Sequence, residues 1–157
     1  MPVDDLEDYG IAQMDEAEIA AFLSEESVGV LCLPTDDGPV MRPMSFAFDE
    51  PSRLYFLYIL PADSRKEAAT QQADTAEFLV YSAEDRFHWT SVILTGTMSA
   101  VPEDEREAIE ERVELGWRPD VLERASESMN TKLYEFEITE QTGMNHEGLP
   151  SGYKRRI

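Results

Sequence analysis

The stretch VMRPMSFAF (residues 40–48) has the alternation of a buried β-strand, yet it carries Arg42 and Pro43 near its start. Pro43 has no N–H to donate to a ladder, so its place is a strand's beginning, an edge or a bulge. A two-residue period puts Val40, Met44, Phe46 and Phe48 on one face with Arg42, and Met41, Pro43, Ser45 and Ala47 on the other. A cation is costly on an apolar face. Either Arg42 precedes the strand proper with its head in water, or irregular backbone and guanidinium together face a polar, anionic ligand.

Upstream, SVGVLCL (residues 27–33) is a second β run and PTDDGP (residues 34–39) a turn, so the two strands form a hairpin. Before that, an acidic arm leads into residues 14–23, where Met14, Ile19, Phe22 and Leu23 fall near one stripe of a short helix. Downstream, RLYFLYIL (residues 53–60) is apolar on both faces, which predicts a central strand of a closed or covered sheet. Residues 64–72 read as a helical connection. Residues 76–82 and 87–101 read as strands, the second with Gly96 as a bend or bulge. Pro102 opens a helix with Ile109, Val113 and Trp117 at four-residue spacing, and residues 118–126 add another turn or two. Last, Tyr134, Phe136 and Ile138 alternate with Glu135, Glu137 and Thr139 as a half-exposed strand. Six strands with few helices between them predict a mainly β, antiparallel barrel with peripheral α-helices.

With 157 residues and 42% apolar content, the chain is long enough for one domain with a real core. The longest apolar run, residues 54–60, is too short to span a bilayer. The acidic N-terminus lacks the basic and apolar regions of a signal peptide, so a cytoplasmic protein is expected. Cys32 stands alone, excluding an internal disulfide, and with only His88 and His146 beside it no spaced metal-ligand cluster appears. Thirteen Lys and Arg against 33 Asp and Glu give a net charge of −20, which disfavours nucleic acid and anionic membranes as partners. Lysine occurs only at positions 66, 132 and 154; this acid-rich, lysine-poor pattern is that of a protein working in concentrated salt and points to a halophilic source.

Two segments carry chemistry. In DSRKE (residues 63–67) the spacing of Ser64 and Glu67 is that of a capping box, but Arg65 and Lys66 occupy the first helical turn, where the dipole disfavours cations. Free amide donors, a hydroxyl and two cations suit a bound phosphate. In FHWTSV (residues 87–92) alternation sets Phe87, Trp89 and Ser91 on one side and His88 and Thr90 on the other. Trp89 beside Ser91 is either the border of a flat heterocycle or a core or interface anchor. His88 is either a satisfied strand histidine or an acid or base. No GxSxG elbow, Walker loop, GxGxxG or zinc signature is present, so any redox chemistry has to come from a cofactor.

In their order and spacing, SVGVLCLPTDDGPVMRPMSFAFDE, RLYFLYILPADSRKEAA and HWTSVILTGTMSAV resemble the pyridoxamine 5′-phosphate oxidase-like, FMN-binding split-barrel family, over residues 14–101 and on through Ile138. The resemblance implies a six-stranded antiparallel split β-barrel that pairs as a homodimer, with FMN in a cleft at the subunit interface. By position, Arg42, Pro43, Met44 and Ser45 would border the flavin's pyrimidine edge and ribityl chain, mostly through backbone groups, which would explain the irregular strand start. Tyr58 would join from the neighbouring strand, Ser64, Arg65 and Lys66 would hold the phosphate, and Trp89 and Ser91 would close the pocket, from this chain or its partner. The implied organisation is an acidic arm over residues 1–13, the FMN-binding split barrel over 14–140 and a C-terminal tail over 141–157. The chain ends GLPSGYKRRI, without the Arg-Leu-x-Pro segment that true pyridoxamine phosphate oxidases place there for substrate, and so departs from vitamin B6 oxidation. Family members also use deazaflavin (F420) or handle haem. The readings that follow are an FMN-dependent oxidoreductase, an F420-dependent reductase, and a non-catalytic flavin-binding or sensing protein.

Overall fold

The computed structural model describes residues 6–60, 64–113, 130–150 and 152. Its strands are β1 (Ile11–Gln13), β2 (Val28–Leu33), β3 (Val40–Ser45), β4 (Ala47–Asp49), β5 (Arg53–Leu60), β6 (Ala76–Asp85), β7 (His88–Ala100) and β8 (Asn130–Glu147). Helices α1 (Glu16–Glu25), α2 (Arg65–Gln72) and α3 (Glu103–Arg112) lie between them. All pairings are antiparallel, in the order β3-β2-β6-β7-β8-β5-β4, with β1 added on β8. The two ends of that order, β3 and β4, are consecutive in the chain, so the sheet curls until its edges nearly meet: a split barrel.

Eight strands form where alternation predicts six, and both additions have a physical cause. The run of residues 40–48 divides at Phe46, whose N–H makes the last bond of the hairpin register, to the Ser27 carbonyl at 2.9 Å; from Ala47 the chain pairs with β5 instead, as β4. The acidic arm supplies β1, three residues held on β8. β8 also runs far beyond Ile138, through the first residues assigned to the tail. It pairs with β5 over its first half and with β7 to Glu147. Residues 139–142 are polar, so backbone pairing rather than hydrophobic alternation extends this strand. Trp117, the helix expected over 118–126 and the basic Lys154, Arg155 and Arg156 lie outside the described residues.

Pro43 sits opposite Val30 on β3, an edge strand where its missing N–H costs no ladder bond. β5 is buried on both faces, as its composition demands. Leu54, Phe56 and Tyr58 enter the barrel core with Leu31, Phe78, Val80, Leu94 and Phe136, while Tyr55 packs outside with Leu133, Val101 and Val113 beneath Ile109 of α3. Phe78 is the hub, its ring 5.3 Å from Phe46 and 4.9 Å from Phe56. Each such fully buried ring contributes roughly 1.5–3 kcal/mol.

Candidate functional site

The hairpin β2–β3 and the central strand β5 converge on the start of α2, and the local sequence there does something unusual. At α1 the Asp15/Glu18 spacing closes a reciprocal capping box: Asp15 accepts the Glu18 N–H at 2.8 Å and Glu18 accepts the Asp15 N–H at 3.2 Å. At α2 the same spacing closes only halfway. Ser64 Oγ accepts the Glu67 N–H at 3.1 Å, but the Glu67 carboxylate turns to β8, where Lys132 Nζ lies at 2.9 Å and the Tyr134 hydroxyl donates at 3.1 Å. The Ser64 N–H is therefore left unclaimed by that carboxylate, and the helix mouth keeps donors to offer.

Above this mouth, the Lys66 ammonium lies 4.2 Å from the centre of the Tyr58 ring and 3.6 Å from Met44 Sδ. Burial, and then repulsion from the Arg42 guanidinium, hold its pKa below the ordinary lysine value. Arg42 is exposed, with one guanidinium nitrogen donating to the Met41 carbonyl at 2.8 Å. Among the described residues, ion pairs join Arg53, Arg106, Arg112 and Lys132 to carboxylates, and none engages Arg42, Arg65 or Lys66. Burial and the neighbouring Arg42 guanidinium disfavour the Lys66 charge, a penalty that a bound anion would offset.

The wall beneath Lys66 is built from stacked and hydrogen-bonded side chains. Tyr58 and Tyr134 stack with centroids 4.3 Å apart. Thr70 Oγ1 donates to the Lys66 carbonyl at 2.7 Å, so in the 2.9 Å contact between Tyr58 and Thr70 the phenol is the donor. Burial pushes the Tyr58 phenol above its ordinary range; burial and the Glu67 carboxylate push Tyr134 up to about 12. Both stay protonated donors at neutral pH. Lys132 first, and then Tyr134, hold the Glu67 carboxyl below its usual value, so it is charged there.

Of the residues expected at a ligand site, Arg42, Met44, Tyr58, Ser64 and Lys66 come together. Arg65 is exposed in the same first turn. Pro43 and Ser45 are exposed on the opposite side of β3 from Arg42 and Met44. Trp89 and Ser91 stand on β7, separated from β3 by β2 and β6. Trp89 donates its indole N–H to the Arg86 carbonyl at 3.1 Å and packs edge-on against His146, 5.9 Å between centroids. Trp89 lines a separate cleft with Ser82, Glu84, His88, Thr90 and Asn145. His88 pairs with Asp85 at 2.9 Å. Within the same protomer, then, Trp89 and Ser91 do not join the cluster. Sequence reasoning did not identify Thr70, Lys132 and Tyr134 as members of the site; the capping spacing at Glu67 was the only hint, and it pointed to a local bond.

A family model described as pyridoxamine 5′-phosphate oxidase matches residues 15–145. No curated protein sequence matches the chain. Solved structures of the same fold include an FAD-binding protein from Mesorhizobium loti, 17% identical, with a TM-score of 0.68, covering 85% of this chain and 95% of that one. An FAD-binding protein from Mycobacterium smegmatis is 16% identical, with a TM-score of 0.64 and coverage of 86% and 98%. An FAD and heme binding protein from the same organism is 18% identical, with a TM-score of 0.67 and coverage of 92% and 77%.

Proposed function

Because this chain belongs to the pyridoxamine 5′-phosphate oxidase family, we propose that it binds FMN at the mouth of α2 and acts as a cytoplasmic FMN-dependent oxidoreductase. The observation that carries this reading is the gathering of Arg42 and Lys66, without carboxylate partners among the described residues, over a helix start whose capping box stays half open. That donor set fits a phosphate monoester: amide donors, a hydroxyl and cations in one place. Flavin-binding proteins among the similar folds support the same class of ligand. Bound there, a flavin would supply the hydride or electron transfer that no side chain of the protein offers. The chain's own residues would bind, orient and exclude water. Ser64, Arg65 and Lys66 would take the phosphate, Tyr58 would floor the ribityl path, and the edge strand at Arg42–Ser45 would offer backbone groups to the ring.

Absorbance of the freshly purified protein and mass spectrometry of its released ligand test this. One FMN per subunit, bleached by NADH or NADPH and reoxidised by an acceptor, is the expected result. F420 or haem in its place would overturn it, and tight FMN that never turns over would make the protein a binder only.

Lys66 can hold a phosphate only as the ammonium, and its pKa lies below the ordinary value. FMN affinity is therefore expected to fall as pH rises through that lowered value, earlier than an unperturbed lysine would allow. Lys66→Arg, whose guanidinium stays charged, should keep its affinity to higher pH. Titrations from pH ~7 to ~10 at fixed ionic strength make the comparison. Parallel curves for the two proteins would remove Lys66 from the phosphate site.

A homodimer is part of the same proposal. Val28, Met41, Tyr81 and Ile93 are exposed hydrophobics, and register places them on one outer face across β3, β2, β6 and β7. Val30, Leu79 and Pro43 lie between them, and Ser45 and Ser91 share that face. A second copy covering it would bury this apolar surface and bring Trp89 and Ser91 of one subunit toward the ring site of the other. Two chains of −20 charge repel unless screened. Light scattering is expected to give a dimer in concentrated salt and dissociation in dilute buffer, with Tyr81→Glu monomeric throughout. A wild-type monomer at every salt concentration would refute the dimer.

A further inference from the structure

The half-open cap at α2 needs a cause. Closing it would satisfy the Ser64 N–H and place a carboxylate at the positive end of the helix, both favourable, and α1 shows that this chain closes the same box where nothing intervenes. At α2 two groups intervene, both from β8: Lys132 at 2.9 Å and Tyr134 at 3.1 Å, on the same carboxylate oxygen of Glu67. Tyr134 is fixed in turn by its stacking on Tyr58, so the clamp and the floor beneath Lys66 are one unit.

We propose that Lys132 and Tyr134 are positioning residues that hold the Glu67 carboxylate away from the mouth of α2, so that the phosphate of the ligand, not the protein's own glutamate, occupies the helix-start donors. This rests on the FMN reading above. Without the clamp, Glu67 swings to the Ser64 N–H, completes the box, pairs with Lys66 and meets an incoming phosphate with a like charge. The protein would then exclude phosphate esters while still admitting the same ligand without its phosphate.

The test compares FMN with riboflavin in wild type, in Lys132→Met/Tyr134→Phe, and in that background with Glu67→Gln added. The clamp variant is expected to lose about tenfold in FMN affinity, with riboflavin within about twofold of wild type, the size expected of one charge at a partly buried helix end. Adding Glu67→Gln should restore FMN to within about threefold, since a neutral amide no longer repels the phosphate. Tyr134→Phe alone, a milder change that keeps the ion pair, should show the same pattern at about threefold and stands in if the double variant does not fold. Equal losses for both ligands, or no recovery with Glu67→Gln, would mean that Lys132 and Tyr134 only support the fold. A wild type that binds FMN no better than riboflavin would bring down the phosphate site itself, and the clamp with it.

Discussion

Arg65→Glu/Lys66→Glu is expected to abolish FMN binding at working concentrations while leaving the apo protein folded. Charge-assisted contacts to a phosphate are worth roughly 1.5–3 kcal/mol apiece, so losing two of them costs about two to four orders of magnitude in affinity. The two new carboxylates add repulsion. The same change suits the empty helix: anions at the dipole's positive end gain about 0.3–1 kcal/mol each. It also turns the repulsion between Lys66 and Arg42 into an attraction, while the desolvation of a partly buried charge remains and the contact with the Tyr58 ring is lost. Riboflavin should lose far less than FMN. Titration of both ligands at one fixed high salt concentration, with thermal melts of the apo proteins, separates the effects. Equal losses for the two ligands, or none, would show that α2 does not bind the phosphate.

Gly96→Val should destabilise the barrel by about 3 kcal/mol or more. Gly96 lies where β7 and β8 shift register: Thr95 faces Glu140 but Gly96 faces Ile138, and the extra Thr139 donates its hydroxyl to the Thr95 carbonyl at 3.1 Å. A Cβ on Gly96 would run into the Glu137 carbonyl and come within 2.6 Å of the Phe136 ring. Neither can give way, because Glu137 is ladder backbone and Phe136 is fully buried, edge-on to Phe56 at 6.1 Å. Gly38→Ala is the contrast. Its left-handed φ of +107° carries a strain of about 1 kcal/mol, but its surroundings are open. Chemical denaturation of both variants should give a several-fold difference in lost stability. Similar losses would mean that the register shift tolerates a side chain.

The chain's periodicities alone determined much of this molecule. RLYFLYIL could only be a strand covered on both sides, and Pro43 could only sit where a ladder bond is not required, because apolar burial and backbone donors are local facts of composition. The cations at positions 65 and 66 marked the helix start as odd for the same reason: a dipole acts over one turn. Tertiary structure decided the rest. β8 runs 18 residues, through a polar stretch without alternation, because β7 and β1 supply its hydrogen-bond partners. The Ser64–Glu67 spacing predicted a closed box, and it stays half open because Tyr134, 67 residues on, and Lys132 offer Glu67 a better partner. Sequence spacing gives the geometry a side chain can reach; only the folded sheet determines which of the reachable partners is present, with what charge, and whether it is dry enough to win.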